Sequence, residues 1–244
     1  MIDTHPTSYK GVIPTPTWAF RQYERIRHWL PDGLPMDQRP NPQLLDNLLP
    51  LANQFQVYVF DAFGVLNAGP RAFPAAIQRF RELQRMGKHV QILSNAATAS
   101  HAKLVEKYRR MGFDITPDQL ISSRWLLEQS LANRAREGLW GVIAPENSEP
   151  GFFTHRAREA GGTLPQFYGK PYAPAFQAVI ERFTDIPPGQ ILMVGDTLHT
   201  DILGGQNAGM KTLLVTAEGS LQGMDIPNGI AQSGIAPDFI APKI

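Results

Sequence analysis

The chain of 244 residues contains no cysteine. Disulfides, thiolate metal sites and cysteine nucleophiles are therefore excluded, and carboxylates, hydroxyls, imidazoles and amines are left to carry any chemistry. An excess of one charge is missing too. Lys and Arg number 23 against 22 Asp and Glu, a net charge of +1, so no broad basic field favours nucleic acid or an anionic membrane surface. No apolar run reaches membrane-spanning length, and there is no internal repeat or low-complexity tract. The first residues, Met1-Ile2-Asp3-Thr4-His5-Pro6, do not have the basic and apolar regions of a signal peptide. The expectation is a cytoplasmic protein with neither a membrane nor a nucleic-acid partner. Apolar residues make up 43% and charged residues 18%, an ordinary globular composition, and the length suits one ample domain or one domain with a small insert.

The most informative stretch is Val57-Tyr58-Val59-Phe60-Asp61-Ala62-Phe63-Gly64. An apolar run that ends on a carboxylate and breaks at glycine predicts a buried parallel strand delivering Asp61 to a sheet edge. A carboxylate in that place is costly unless a cation, a hydrogen-bond set or a reaction occupies it. Further strands are predicted over 89–93, ending at Ser94, and over 190–194, ending at Gly195-Asp196, with shorter ones at 121–123, 140–144, 213–215 and 238–240. Helical spacing marks 18–30, a segment opened by Asn41-Pro42 whose face is Leu44, Leu45, Leu48 and Leu49, and the stretches 76–83, 98–111, 125–136, 152–160, 200–208 and the residues from Pro174 onward. Strands alternating with helices imply right-handed crossovers and a doubly wound parallel α/β sheet.

Ligands of such sheets bind outside the carboxyl ends of the strands, where Asp61, Ser94 and Asp196 fall, with Lys170 opening a helical stretch. The set suits phosphoryl transfer. An ionised Asp can attack phosphorus, a hard cation between Asp61 and Asp196 offsets charge repulsion, and Ser94 and Lys170 can meet phosphate oxygens.

In this order the residues resemble the haloacid dehalogenase-like (HAD) superfamily. Its four motifs are matched by 61–66, by Ile92-Leu93-Ser94-Asn95-Ala96, by Gly169-Lys170-Pro171 and by Met193-Val194-Gly195-Asp196-Thr197-Leu198-His199-Thr200-Asp201. The continuation through 203–212 looks most like the class IIA branch, with its sugar-phosphate and nitrophenyl-phosphate phosphatases. The resemblance implies a Rossmann-like HAD core over 55–112 and 169–244, an N-terminal helical extension at 1–54, and a reduced cap insert at 113–168. It also implies Asp61 as nucleophile and magnesium ligand, with Phe63 lending its backbone carbonyl. Asp196 would be the second metal carboxylate and Asp201 a supporting acid or occasional metal ligand. Ser94, Asn95 and Lys170 would hold the phosphoryl group of a small phosphorylated metabolite.

Two departures stand out. Phosphatases of this superfamily usually carry a second Asp two residues after the nucleophile, to protonate the leaving group and activate water, and Phe63 stands there. Such help is typically worth ~10²–10⁴-fold, so slow turnover or a good leaving group is expected. The insert is also short, which implies an open site, a larger substrate, or a cover completed by a second copy in a homo-oligomer. A magnesium-dependent phosphatase is the leading expectation. A catalytically silent phospho-ligand binder and a 2-haloacid dehalogenase are the alternatives, the last because dehalogenases also carry an aromatic after the nucleophile. His199 is expected to shape the site entrance, Phe20, Tyr23, Trp18 and Trp29 to be core, and Glu146 and Glu149 to lie on a solvated loop.

Overall fold

A computed structural model of the chain describes residues 14–134 and 166–244. Seven parallel strands form one sheet in the order β1-β9-β8-β7-β2-β5-β6: β1 Gln43–Leu44, β2 Val57–Phe60, β5 His89–Ser94, β6 Leu120–Ser122, β7 Ile191–Gly195, β8 Lys211–Val215 and β9 Phe239–Ala241. A small antiparallel hairpin, β3 Asn67–Ala68 and β4 Arg71–Ala72, follows β2. The helices are α1 Pro16–Arg25, α2 Pro74–Arg85, α3 His101–Arg110, α4 Ser123–Arg134, α5 Ala173–Ile180, α6 Leu203–Asn207 and α7 Ile226–Ser233. Among the described residues no helix is long and apolar enough to cross a membrane.

The strand alternation builds two cores. Tyr58 and Phe60 of β2 face Phe80, Leu83, Ile92 and Leu104 on one side of the sheet. Val57 and Val59 face Leu93, Phe176, Val179 and Met193 on the other. Burial on both faces is why these strands are continuous apolar runs rather than alternating ones. Phe80 and Leu83 of α2 are completely covered, each stabilising the fold by roughly 1.5–3 kcal/mol. Helix starts follow local chemistry. Thr15 Oγ1 accepts the Trp18 amide at 3.1 Å and Pro16 opens α1, while Asp225 caps α7 through the Asn228 amide at 3.1 Å.

Two expectations are corrected. The segment opened by Asn41-Pro42 is not a helix. Gln43 and Leu45 donate their amides to Asp238 and Ile240 carbonyls at 2.9 and 2.8 Å, adding β1 at the sheet edge, and Leu44 and Leu49 are exposed rather than lining a buried face. The N-terminal segment therefore joins the sheet as well as supplying a helix. The insert also begins later than residue 113, because β6 pairs with β5 inside the main sheet. The expected strand at 140–144, the helix at 152–160, Glu146 and Glu149 lie outside the described residues.

Candidate active site

Three adjacent strands, β7, β2 and β5, bring their C-terminal ends to one edge, and these ends deliver Asp196, Asp61 and Ser94. Lys170, from the segment before α5, completes the cluster. Its Nζ donates to Asp61 Oδ1 at 2.5 Å and to Asp201 Oδ1 at 2.6 Å. The Lys170 and Asp201 side chains are 2% and 1% exposed, and that of Asp61 is 13% exposed. A lysine this deep is tolerated because two carboxylates meet it.

Asn95 fixes the lysine from behind. Its Oδ1 accepts the Lys170 amide at 2.7 Å and its Nδ2 donates to the Lys170 carbonyl at 3.0 Å. The sequence assigns Asn95 to the phosphate. Its side-chain amide group is bonded to the Lys170 backbone, which holds the lysine in place. Gly169 leaves room for this grip, since a Cβ there would lie 3.0 Å from Asn95 Oδ1.

Asp196 is held just as closely. Its Oδ1 accepts Thr197 Oγ1 at 2.9 Å and its Oδ2 accepts the Ser220 amide at 2.7 Å, while Ser220 Oγ donates to the Asp196 carbonyl at 2.8 Å. Gly64 (φ 84°) and Gly219 (φ 79°) close on the same carboxylate. A Cβ at either would fall 2.2 or 2.0 Å from Asp196 Oδ2, so only glycine fits. Asp201 turns its Oδ2 to the amides of Asp196 and Thr197 at 3.2 and 3.1 Å. With its Oδ1 on Lys170, it ties the turn after β7 to the lysine.

One oxygen each of Asp61, Asp196 and Asp201 lie within 4.8 Å of one another. Three carboxylates face one ammonium, and the surplus negative charge sits in a largely buried, all-oxygen pocket. That donor set fits a hard divalent cation. The electrostatics agree. Burial pushes Asp61 up to about 8, with Asp201 and Asp196 adding to the rise and Lys170 opposing it. Burial and Asp201 raise Asp196 to about 6, against the Ser220 amide and Thr197. Burial alone would lower Lys170, but Asp201 and Asp61 outweigh it and hold the lysine charged.

A cavity of about 560 Å³ opens over this cluster, lined by Asp61, Ser94, Lys170 and Asp196. Phe63 stands in its wall with 58% of its surface exposed. Ser94 Oγ accepts the Ala96 amide at 3.2 Å, and Tyr108 lines the cavity with it. The sequence reading did not select Tyr108, Ser220 or Gly219. Ser220 and Gly219 follow β8, the strand beside β7, so a search of every strand-end loop finds them. Tyr23, expected to be core, lines the cavity instead. His199 is no entrance residue. It is 1% exposed in a π-helical turn, Leu198–Ile202, with its Nε2 2.5 Å from Glu24 Oε1.

Comparison with known proteins agrees with this geometry. A family model described as haloacid dehalogenase-like hydrolase matches residues 58–160, and a HAD-hydrolase-like model matches residues 167–244. Chronophin of Bos taurus is 25% identical over 269 residues, covering 78% of this chain and 90% of that protein. A solved structure described as a possible sugar phosphatase of the HAD superfamily, from Cytophaga hutchinsonii, is 23% identical with a TM-score of 0.66, covering 83% of this chain and 98% of its own. The p-nitrophenyl phosphatase from Archaeoglobus fulgidus is 15% identical with a TM-score of 0.65, covering 78% and 96%. The two family models between them span residues 58–160 and 167–244 and include all four motifs, and the chain belongs to the haloacid dehalogenase-like hydrolases.

Proposed function

We propose that the protein is a magnesium-dependent phosphatase of small phosphate monoesters, working through an acyl-phosphate on Asp61. The observation that carries this reading is the Lys170 bridge, which holds Asp61 at the cavity floor with Asp196 alongside. Asp61 bonds to phosphorus as the ester P–O bond breaks, and the leaving oxygen departs with the electron pair and takes a proton from solvent. Water then adds to phosphorus, loses a proton to solvent, releases inorganic phosphate and restores the carboxylate. Lys170 and Ser94 bind the transferring group, and Asn95 keeps Lys170 in place. Asp61, Asp196 and the Phe63 carbonyl, with Asp201 behind them, would hold the magnesium, whose contribution is to neutralise charge between carboxylate and phosphate. The phosphatase names among the compared proteins support the reaction class.

The test is p-nitrophenyl phosphate turnover with magnesium. Asp61→Asn should lose on the order of 10³-fold or more in kcat, and rates equal to wild type would remove Asp61 as nucleophile. A second reading rests on Phe63, which offers no carboxylate for proton transfer: the protein binds a phosphorylated ligand without turning it over. Tight binding of a phosphate-mimicking fluoride with magnesium, and no hydrolysis across an ester panel, would favour it.

A further inference from the structure

The N-terminal helix places an aromatic ring where no family motif does. Tyr23 of α1 lines the same cavity as Asp61, Lys170 and Asp196. Its ring is stacked on the His199 ring, with centroids 5.1 Å apart and planes 8° from parallel. His199 is anchored by Glu24, the next residue of the same helix, and Phe20 meets the imidazole edge-on at 5.1 Å. Phe20 is also packed into the cluster of Leu198, Ile202 and Leu221, and α1 lies against the Gly219–Leu221 turn that holds Asp196. The Tyr23 ring is thus set in one orientation before any ligand arrives.

We propose that Tyr23 is a specificity-determining residue whose ring forms the leaving-group wall of the cavity, selecting esters with a planar aromatic leaving group over small aliphatic ones. This rests on the reading of the site as a phosphatase. Two independent observations converge on it. The first is the lining. The cavity presents Tyr23 together with Phe63, an exposed aromatic whose apolar surface has no cover among the described residues. Aromatic rings held rigidly offer a large flat contact at small entropic cost, and offset stacking rewards a flat partner. The second is the chemistry of position 63. With no carboxylate there to supply a proton, the ester oxygen must leave largely as the anion. A phenol, with a pKa of about 10, departs far more readily than an alcohol, whose acidity is close to that of water at about 15.7. Shape and leaving-group acidity therefore point to the same substrate class.

The experiment measures binding and turnover separately on the full chain with magnesium. Calorimetry with phenylphosphonate and methylphosphonate, neither hydrolysable, gives an affinity ratio for the aromatic group. Wild type should prefer phenylphosphonate by about 10-fold, and Tyr23→Ala and Tyr23→Leu should each cut that preference by about 3- to 10-fold. Methylphosphonate affinity should stay within about 2-fold, and Tyr23→Phe, which keeps the ring, should keep the preference. A structural role alone would weaken both ligands together. Equal affinity of wild type for the two phosphonates overturns the proposal without any variant, as does an unchanged ratio in a folded Tyr23→Ala or Tyr23→Leu. Parallel assays with phenyl phosphate and glycerol phosphate keep the two readings apart. If both esters are hydrolysed at equal kcat/KM and the phosphonates bind equally, the proposal fails and the phosphatase reading stands. If neither ester is hydrolysed but the phosphonate preference depends on the ring at position 23, the phosphatase reading fails and Tyr23 is the wall of a binding site.

Discussion

Phe63 determines what the site can do more than any of the acids around it. In the proposed reaction the carboxylates and Lys170 would supply nucleophile, cation site and phosphate contacts, all of which survive an aromatic side chain at that position. Proton delivery does not. Phe63→Asp should therefore raise kcat for an alkyl ester such as glycerol phosphate, by on the order of 10²-fold. The gain for p-nitrophenyl phosphate should be much smaller, because nitrophenolate leaves without a proton. Steady-state kinetics on the two esters decides this, and equal effects on both would mean that another group already handles the proton. Asn95 and Asp201 illustrate a different residue-level point. Each has the chemistry to touch substrate or metal, yet each turns its side chain onto the machinery itself, Asn95 onto the Lys170 backbone and Asp201 onto Lys170 and two amides.

Among the elements, β1 separates two descriptions of the N-terminal segment. Its amides at 43 and 45 face β9 and are bonded to it. Leu44 lies between them on an exposed edge, 75% accessible. Gln43→Pro should thus lower stability by roughly 1 kcal/mol or more through the lost ladder bond, whereas Leu44→Pro should stay within about 0.5 kcal/mol. Chemical denaturation of the two variants checks the contrast; in the first turn of a helix, where amides have no intrahelical partner, proline would be tolerated at both. The leucine spacing at 44, 45, 48 and 49 imitates a helical face, and only pairing with a strand some 195 residues away in sequence turns it into an edge. Central strands were legible because burial on both faces leaves an unmistakable apolar run. The strand-end residues Asp61, Ser94 and Asp196 were legible for a related reason, since sheet topology converts their sequence positions into one edge. Tyr23 and the grip of Asn95 were not, because their partners lie far away along the chain and no local pattern encodes the meeting.

At the scale of the whole molecule, the site stores like charge that a cation would relieve. Asp61 and Asp196 bind protons more tightly in the fold than in the unfolded chain. The native state then holds more protons, so stability from these groups is present below the ordinary carboxylate value near 4. It is lost as pH rises through about 6 and then about 8. Bound magnesium would favour the ionised forms and oppose that loss. Its stabilisation should be larger at pH 8 than at pH 5.5. At a hundred-fold excess over Kd it is worth about 2.7 kcal/mol, or roughly 5–10 °C in Tm for a domain of this size. Thermal melts with magnesium and with chelator at the two pH values test this, and an increment independent of pH would contradict it. The glycine pinch on Asp196 adds a mechanical consequence. A carboxylate fitted between the main chains of residues 64 and 219 cannot swing to another rotamer unless the loop after β2 and the turn after β8 part from each other. That turn is the surface on which α1 rests. The N-terminal helix, the loop after β2 and Asp196 are thereby coupled, and the acid's aim is tied to the seating of a helix that no active-site motif includes.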